Sequence, residues 1–181
     1  MTITSIGIIG AGTMGNGIAQ VAASAGYDVV LLDVSDAALE KGLAALSNSL
    51  DRLIKKEAIS AEQKSQTLTR IKTTTQYTDL ASVSLVIEAA TENQAIKESI
   101  LQQVDQVVSK DTIIASNTSS ISITHLGLLN SRPERFIGIH FFNPPPLMAL
   151  IEVIMGKETS PETLQTELTS MRAIRDGGLK K

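Results

Sequence analysis

Short apolar runs rich in Ile and Val alternate along the chain with longer stretches whose apolar residues recur every three or four positions. The first run, Ser5-Ile-Gly-Ile-Ile-Gly10, reads as a buried strand. Residues 12–25 are small helix formers, and Gly26 suits the position just past a helix end. Residues 28–33 predict a second buried strand. Ser35 then caps a long helix over residues 36–54. Ser60 with Gln63 forms a capping box for another helix over 61–70. Further strands are predicted over 71–75, 85–89, 112–116, 136–140 and 150–155. Helices are predicted over 94–109, where Ile96, Ile100, Leu101, Val104 and Val108 share a face, and over 121–129. Ser160 and Pro161 read as the cap and first residue of a last helix, and residues 176–181 as a frayed end. Strands alternating with helices predict an α/β fold, a doubly wound and mostly parallel sheet with helices on both faces. Neither repeat nor linker divides the chain, so a single domain over residues 1–181 is expected.

Composition narrows the chemistry. The chain is 43% hydrophobic and 19% charged, a globular balance. It has no cysteine, which excludes disulfides, thiolate metal sites and a Cys nucleophile, and is consistent with a cytoplasmic protein. The net charge of −3 and the lack of a basic cluster argue against nucleic-acid binding. No apolar run approaches the ~18 residues that span a bilayer. The apolar start lacks a basic flank and leads into glycines, so it reads as a strand rather than a signal peptide. With no Trp and 3% aromatics, base-stacking and sugar-binding clefts are poorly supplied.

Gly10-Ala11-Gly12-Thr13-Met14-Gly15 matches G-x-G-x-x-G. The match is weak alone. Here it follows a strand, opens a helix and precedes a strand ending in Asp33, the full context of a dinucleotide site. Gly10 permits the tight turn, Gly12 lets backbone approach a pyrophosphate, and Gly15 lets helix and strand pack closely. The helix N-terminus supplies N–H groups and a positive dipole end. Asp33 can accept both hydroxyls of an adenosine ribose and would repel a 2′-phosphate. The next arginine is Arg52, so NAD is favoured over NADP. The plain alternative is a glycine-rich turn without a ligand.

His140 ends a predicted strand, and ligands of such sheets sit at that edge. An imidazole titrates near neutrality and suits general-base work. Glu152 returns twelve residues later and can accept the second ring N–H, which fixes the tautomer. A strand-end histidine and a solvated strand glutamate are the plain alternatives. Ser116-Asn-Thr-Ser-Ser120 offers hydroxyls and an amide to a ligand, or simply caps the next helix. Ser49, Arg52, Lys55 and Lys56 line one helix that can meet a phosphorylated substrate or merely face solvent. His125, the other histidine, reads as an ordinary helix residue, and two distant histidines make a poor zinc site, so no metal is expected.

Taken together, the glycine fingerprint, Glu88-Ala-Ala-Thr-Glu-Asn93, Ala115-Ser-Asn-Thr-Ser-Ser120 and His140-Phe-Phe-Asn-Pro with Glu152-Val-Ile resemble the NAD-dependent L-3-hydroxyacyl-CoA dehydrogenases, in particular their bacterial 3-hydroxybutyryl-CoA members. The resemblance runs over about residues 5–156 and fades beyond. It implies a Rossmann-like sheet with a protruding helical hairpin. His140 is similar to the family's catalytic base and Glu152 to its partner. Ser119 matches a serine touching substrate and cofactor, and Asn143 an asparagine near the nicotinamide. Glu92 and Lys97 match further cofactor contacts, and Ser49 and Lys56 match contacts to coenzyme A. The implied reaction is hydride transfer between NAD and a 3-hydroxyacyl-CoA, in fatty-acid oxidation or butanoate metabolism. The family also carries a further strand, an Asn in a segment resembling Pro-Gly-Phe, and a C-terminal helical domain through which it homodimerises. These are expected to be absent here, leaving residues 157–181 as a divergent or truncated tail and a sheet edge unpaired. Three other readings stay open: an NAD-binding module without turnover, a gulonate-type hydroxy-acid dehydrogenase, and a structural role like that of lens relatives of this fold.

Overall fold

A computed structural model describes residues 2–178. Seven strands form one sheet: β1 (Ser5–Ile9), β2 (Asp28–Leu32), β3 (Ile71–Thr74), β4 (Leu85–Glu88), β5 (Ile113–Ser116), β6 (Phe136–Phe141) and β7 (Ile151–Met155). Their order is β3-β2-β1-β4-β5-β6-β7. The first six run parallel, and β7 is antiparallel to β6. The chain thus winds outward from β1 through β2 to β3, then returns to place β4 on the other side of β1. That reversal opens a crevice at the carboxyl ends of β1 and β4.

The central strands β1, β4, β5 and β6 are buried on both faces, which is why they read as largely apolar runs, while the edge strands β3 and β7 keep exposed residues. Leu85 and Ile87 enter one core with Ile6, Ile8, Ile18 and Leu46, while Val86 enters the other with Leu101, Val104 and Phe136. The first core lies under α1 (Thr13–Ser24), α2 (Asp36–Lys55) and the last helix, α6 (Pro161–Gly178). The second lies under α4 (Gln94–Val107) and α5 (Ile123–Leu128). Between α2 and β3, α3 (Ala61–Thr69) completes the helical hairpin expected of the family, with Leu46 and Leu50 of α2 buried.

Capping decides where the helices begin. The Ser60–Gln63 box forms with both bonds present, at 3.1 and 2.8 Å. Ser35 accepts from the Ala38 amide and Asn93 from the Ile96 amide. α5 starts two residues later than expected, because Ser122 is its cap. Ser160 caps α6, which then runs unbroken through Asp176 to Gly178. Residues 176–178 are therefore helical, not frayed, because Met171 and Ile174 anchor α6 in the core. The rest of that expectation, residues 179–181, lies outside the described residues. β7 ends the sheet, and among the described residues no strand pairs with its outer edge.

Candidate active site

Five parallel strands deliver the site residues to one edge of the sheet. β1 leads into the fingerprint, β2 into Asp33, β4 into Glu88–Glu92, β5 into Ser116–Ser119 and β6 into His140–Asn143. The local turn is built from glycine. Gly10 has φ +100°, and a Cβ there would lie 2.6 Å from Ala90 Cα. A Cβ on Gly15 would lie 1.7 Å from the Gly10 carbonyl oxygen, so α1 can only start this close to β1 without a side chain. Gly12 is different: nothing of the protein lies within 4 Å of its Cβ position. The chain packs around Gly10 and Gly15 but leaves the approach to Gly12 clear, a cradle for a ligand rather than a packing constraint. α1 also starts with no side-chain cap, so its first N–H groups, from Thr13, Met14 and Gly15, stay free for an anion.

Asp33 faces this cradle. Its two carboxylate oxygens accept from the Ala11 amide at 2.6 Å and the Val34 amide at 2.7 Å. The side chain is thereby fixed, and its remaining lone pairs can take ribose hydroxyls. The residues present fit NAD: clear backbone over the pyrophosphate position, a free helix N-terminus and an anchored acceptor for the ribose.

His140 and Glu152 stand directly opposite one another in the β6–β7 register. Their side chains meet at 2.8 Å, with Nδ1 of His140 against Oε2 of Glu152. Glu152 accepts, which places the proton on Nδ1 and leaves Nε2 as the nitrogen free to take a proton from a substrate. Phe142 packs on the imidazole at 4.7 Å between ring centroids. The twelve-residue spacing reflects a strand pair, and the antiparallel turn of β7 supplies it.

Ser119 is exposed at the end of the β5 turn. The Ser116–Ser120 run does not cap α5, since Ser122 does that. Thr118 Oγ instead closes its own turn by accepting from the Ser120 and Ile121 amides, and donates to Glu92 at 2.8 Å. Glu92 and Asn143 are both exposed at the rim. Ser49 and Lys56, far from these in sequence, line a cleft with Arg52, Leu53, Pro144, Pro146 and Leu147. The candidate coenzyme contacts, Ser49 on α2 and Lys56 just past its end, therefore abut the loop that follows His140. Lys97 lies apart from the rest. It is fully buried on α4, and its ammonium contacts Glu88 Oε2 and Ser116 Oγ.

Several supporting roles fall outside the sequence-based expectations. Glu88 is wholly buried at the end of β4. Asn117 Oδ1 accepts the Phe141 amide at 2.8 Å and so ties the β5 turn to the strand end carrying His140. Gly17 meets Pro145, and Gly42 lets α2 approach Ala11. The sequence signals Glu88 as a charge closing an apolar strand and as the head of the Glu88–Asn93 motif, and offers Asn117 as a ligand amide; that they tie elements together depends on contacts a sequence does not show. Among the described residues no three His, Asp or Glu side chains cluster to hold a metal ion, and no helix is long and apolar enough to cross a membrane.

Fold and site together define a dinucleotide-binding dehydrogenase domain. The family model for the NAD-binding domain of 3-hydroxyacyl-CoA dehydrogenase matches residues 5–178, and the chain belongs to that family, with NAD as its cofactor. The match passes Gly156 and takes in α6. A 3-hydroxybutyryl-CoA dehydrogenase from Bradyrhizobium diazoefficiens is 48% identical over 163 residues, covering 90% of this chain and 56% of that protein. One from Clostridioides difficile is 41% identical over 169 residues, covering 93% and 60%. The crystal structure of (S)-3-hydroxybutyryl-CoA dehydrogenase from Ralstonia eutropha matches with a TM-score of 0.94 at 53% identity, over 96% of this chain and 61% of that one. The chain spans somewhat over half the length of these relatives.

Proposed function

We propose that this domain carries out the hydride-transfer half of a 3-hydroxyacyl-CoA dehydrogenase, interconverting a 3-hydroxyacyl-CoA such as 3-hydroxybutyryl-CoA with its 3-oxo form, as one domain over residues 1–181 and in the cytoplasm. The observation that carries it is the His140–Glu152 pair at 2.8 Å, on the same sheet edge as the dinucleotide cradle. When bound, NAD supplies the acceptor for the C3 hydride in the oxidative direction and the donor in reverse. His140 Nε2 takes the proton of the 3-hydroxyl, and Glu152 stabilises the imidazolium that results. Ser119 orients the 3-oxygen. Asn143 and Glu92 border the nicotinamide, and Asp33 holds the ribose. Ser49 and Lys56 hold the coenzyme A end, so that binding energy from the handle positions the reacting carbon.

The test is the chain mixed with NADH and acetoacetyl-CoA, followed by loss of NADH absorbance. Turnover should fall by about 10²–10⁴ in His140→Ala. Equal rates in the two proteins would remove His140 from the mechanism. A second reading has its own support. The cradle of Gly10, Gly12 and Gly15 with Asp33 shares no residue with the His140–Glu152 pair, so NAD can be held without turnover. NADH binding with no turnover would select that reading.

A further inference from the structure

Beneath the crevice lies a buried ion pair that the proposed chemistry does not use. Glu88 and Lys97 are both fully buried, with the buried Ser116 beside them. Glu88 Oε1 accepts the Ala90 amide at 2.9 Å, while Oε2 accepts from Ser116 Oγ at 2.8 Å and from the Lys97 ammonium. Lys97 also reaches Ser116 Oγ, at 3.2 Å. Both carboxylate oxygens and the ammonium are thus satisfied, the condition under which a buried pair is tolerated. The position is specific. Glu88 ends the strand beside β1, at the reversal of strand order. Ala89 and Ala90 form the wall against which Gly10 packs. Glu92 and Thr118 complete the turn on the far side.

We infer that Glu88 and Lys97 are positioning residues: their ion pair holds the turn after β4 against Gly10 and the end of β5, and so sets the seat of the cofactor from below. This rests on the NAD-binding part of the proposed function but not on turnover. It gives Lys97 an indirect role, acting through Glu88 in place of direct contact. It also explains why a cation is present. An uncompensated carboxylate there would oppose the negative charge of a pyrophosphate, and Lys97 cancels it.

The test compares wild type with Lys97→Met and the double variant Glu88→Gln with Lys97→Met. NADH affinity is read by fluorescence, acetoacetyl-CoA affinity by calorimetry without cofactor, and folding by circular dichroism. Lys97→Met should weaken NADH by about tenfold or more, since it strands a buried carboxylate. Acetoacetyl-CoA affinity, which depends on the α2 cleft, should not change. The double variant should recover most of the NADH affinity, because the side-chain amide replacing the Glu88 carboxylate is neutral and still accepts from the Ala90 N–H. A folded Lys97→Met with wild-type NADH affinity overturns the inference. So does equal weakening of both ligands, which marks general loosening, and so does a double variant with no recovery. If Lys97→Met does not fold, Ser116→Ala decides: it removes one donor and should weaken NADH by about threefold, and wild-type affinity refutes the inference. A wild-type chain that binds no NADH overturns both this inference and the function it rests on, whereas one that binds NADH without turnover fails only the proposed catalysis.

Discussion

Glu167 on α6 ties the stability of the fold to pH because it is 0% exposed to water. Neither carboxylate oxygen has a hydrogen-bond partner. Burial pushes its pKa up from 4.5 to about 8. The Tyr27 phenol faces it and is itself raised, first by burial, while its bond to Ser170 opposes the shift and the Glu167 charge adds to it. The sign follows from proton counting. Between pH 4.5 and 8 the folded chain binds the proton and the unfolded chain does not, so stability falls as pH rises through that window. At about 1.4 kcal/mol per pH unit, the gap between 4.5 and about 8 gives a loss of up to about 5 kcal/mol, complete above pH 8. By about pH 7 roughly 3 kcal/mol has already gone. The perturbation is Glu167→Leu, which removes the charge and fits the apolar surroundings of Met171 and Ile174. The assay is urea unfolding at a series of pH values from about 5 to about 9. The variant should be more stable than wild type, and their difference should grow with pH and level off near 8. A constant difference across that range would show that Glu167 does not bind its proton in the fold, and the argument from burial would fail.

Gly12→Val should abolish NADH binding while leaving the thermal midpoint nearly unchanged, because its Cβ meets nothing of the protein; Gly15→Ala should unfold the chain, because its Cβ would lie 1.7 Å from a carbonyl oxygen. Lys56→Glu should raise the Michaelis constant for a coenzyme A ester and leave NADH affinity alone, which steady-state kinetics and fluorescence separate. Glu152→Gln should lower turnover with little change in either affinity, by about tenfold or more, since the neutral amide no longer stabilises the imidazolium that His140 becomes; an unchanged turnover would leave Glu152 a solvated strand residue.

Much of this was legible because local chemistry and global fold agree. Ile-Gly-Ile-Ile followed by a glycine fingerprint and an apolar strand ending in Asp33 admits few other structures. Caps such as Ser60 with Gln63 act over three residues, so their pattern survives in the sequence. The misreadings share a cause. The start of α5 depended on which of Ser120 and Ser122 was free, and Thr118 decides that by taking the Ser120 and Ile121 amides itself. The end of α6 depended on packing against α1, which no run of residues near Asp176 announces. Lys97 carries the spacing of a helix-face residue, but its burial follows from Glu88 on another element. Contacts across 9 to 28 residues, such as those joining Lys97, Glu88 and Ser116, leave no period for a sequence to show.

The strand pair that joins His140 to Glu152 also determines when the proposed acid–base couple comes into being. The two residues are neighbours in one antiparallel hairpin with a single connection, residues 142–150. The entropy of bringing imidazole to carboxylate is therefore met during folding, once per molecule, and not at each encounter with substrate. The two residues that the proposed reaction uses together thus arrive together as a single inheritance, so that a change elsewhere in the sheet moves both or neither.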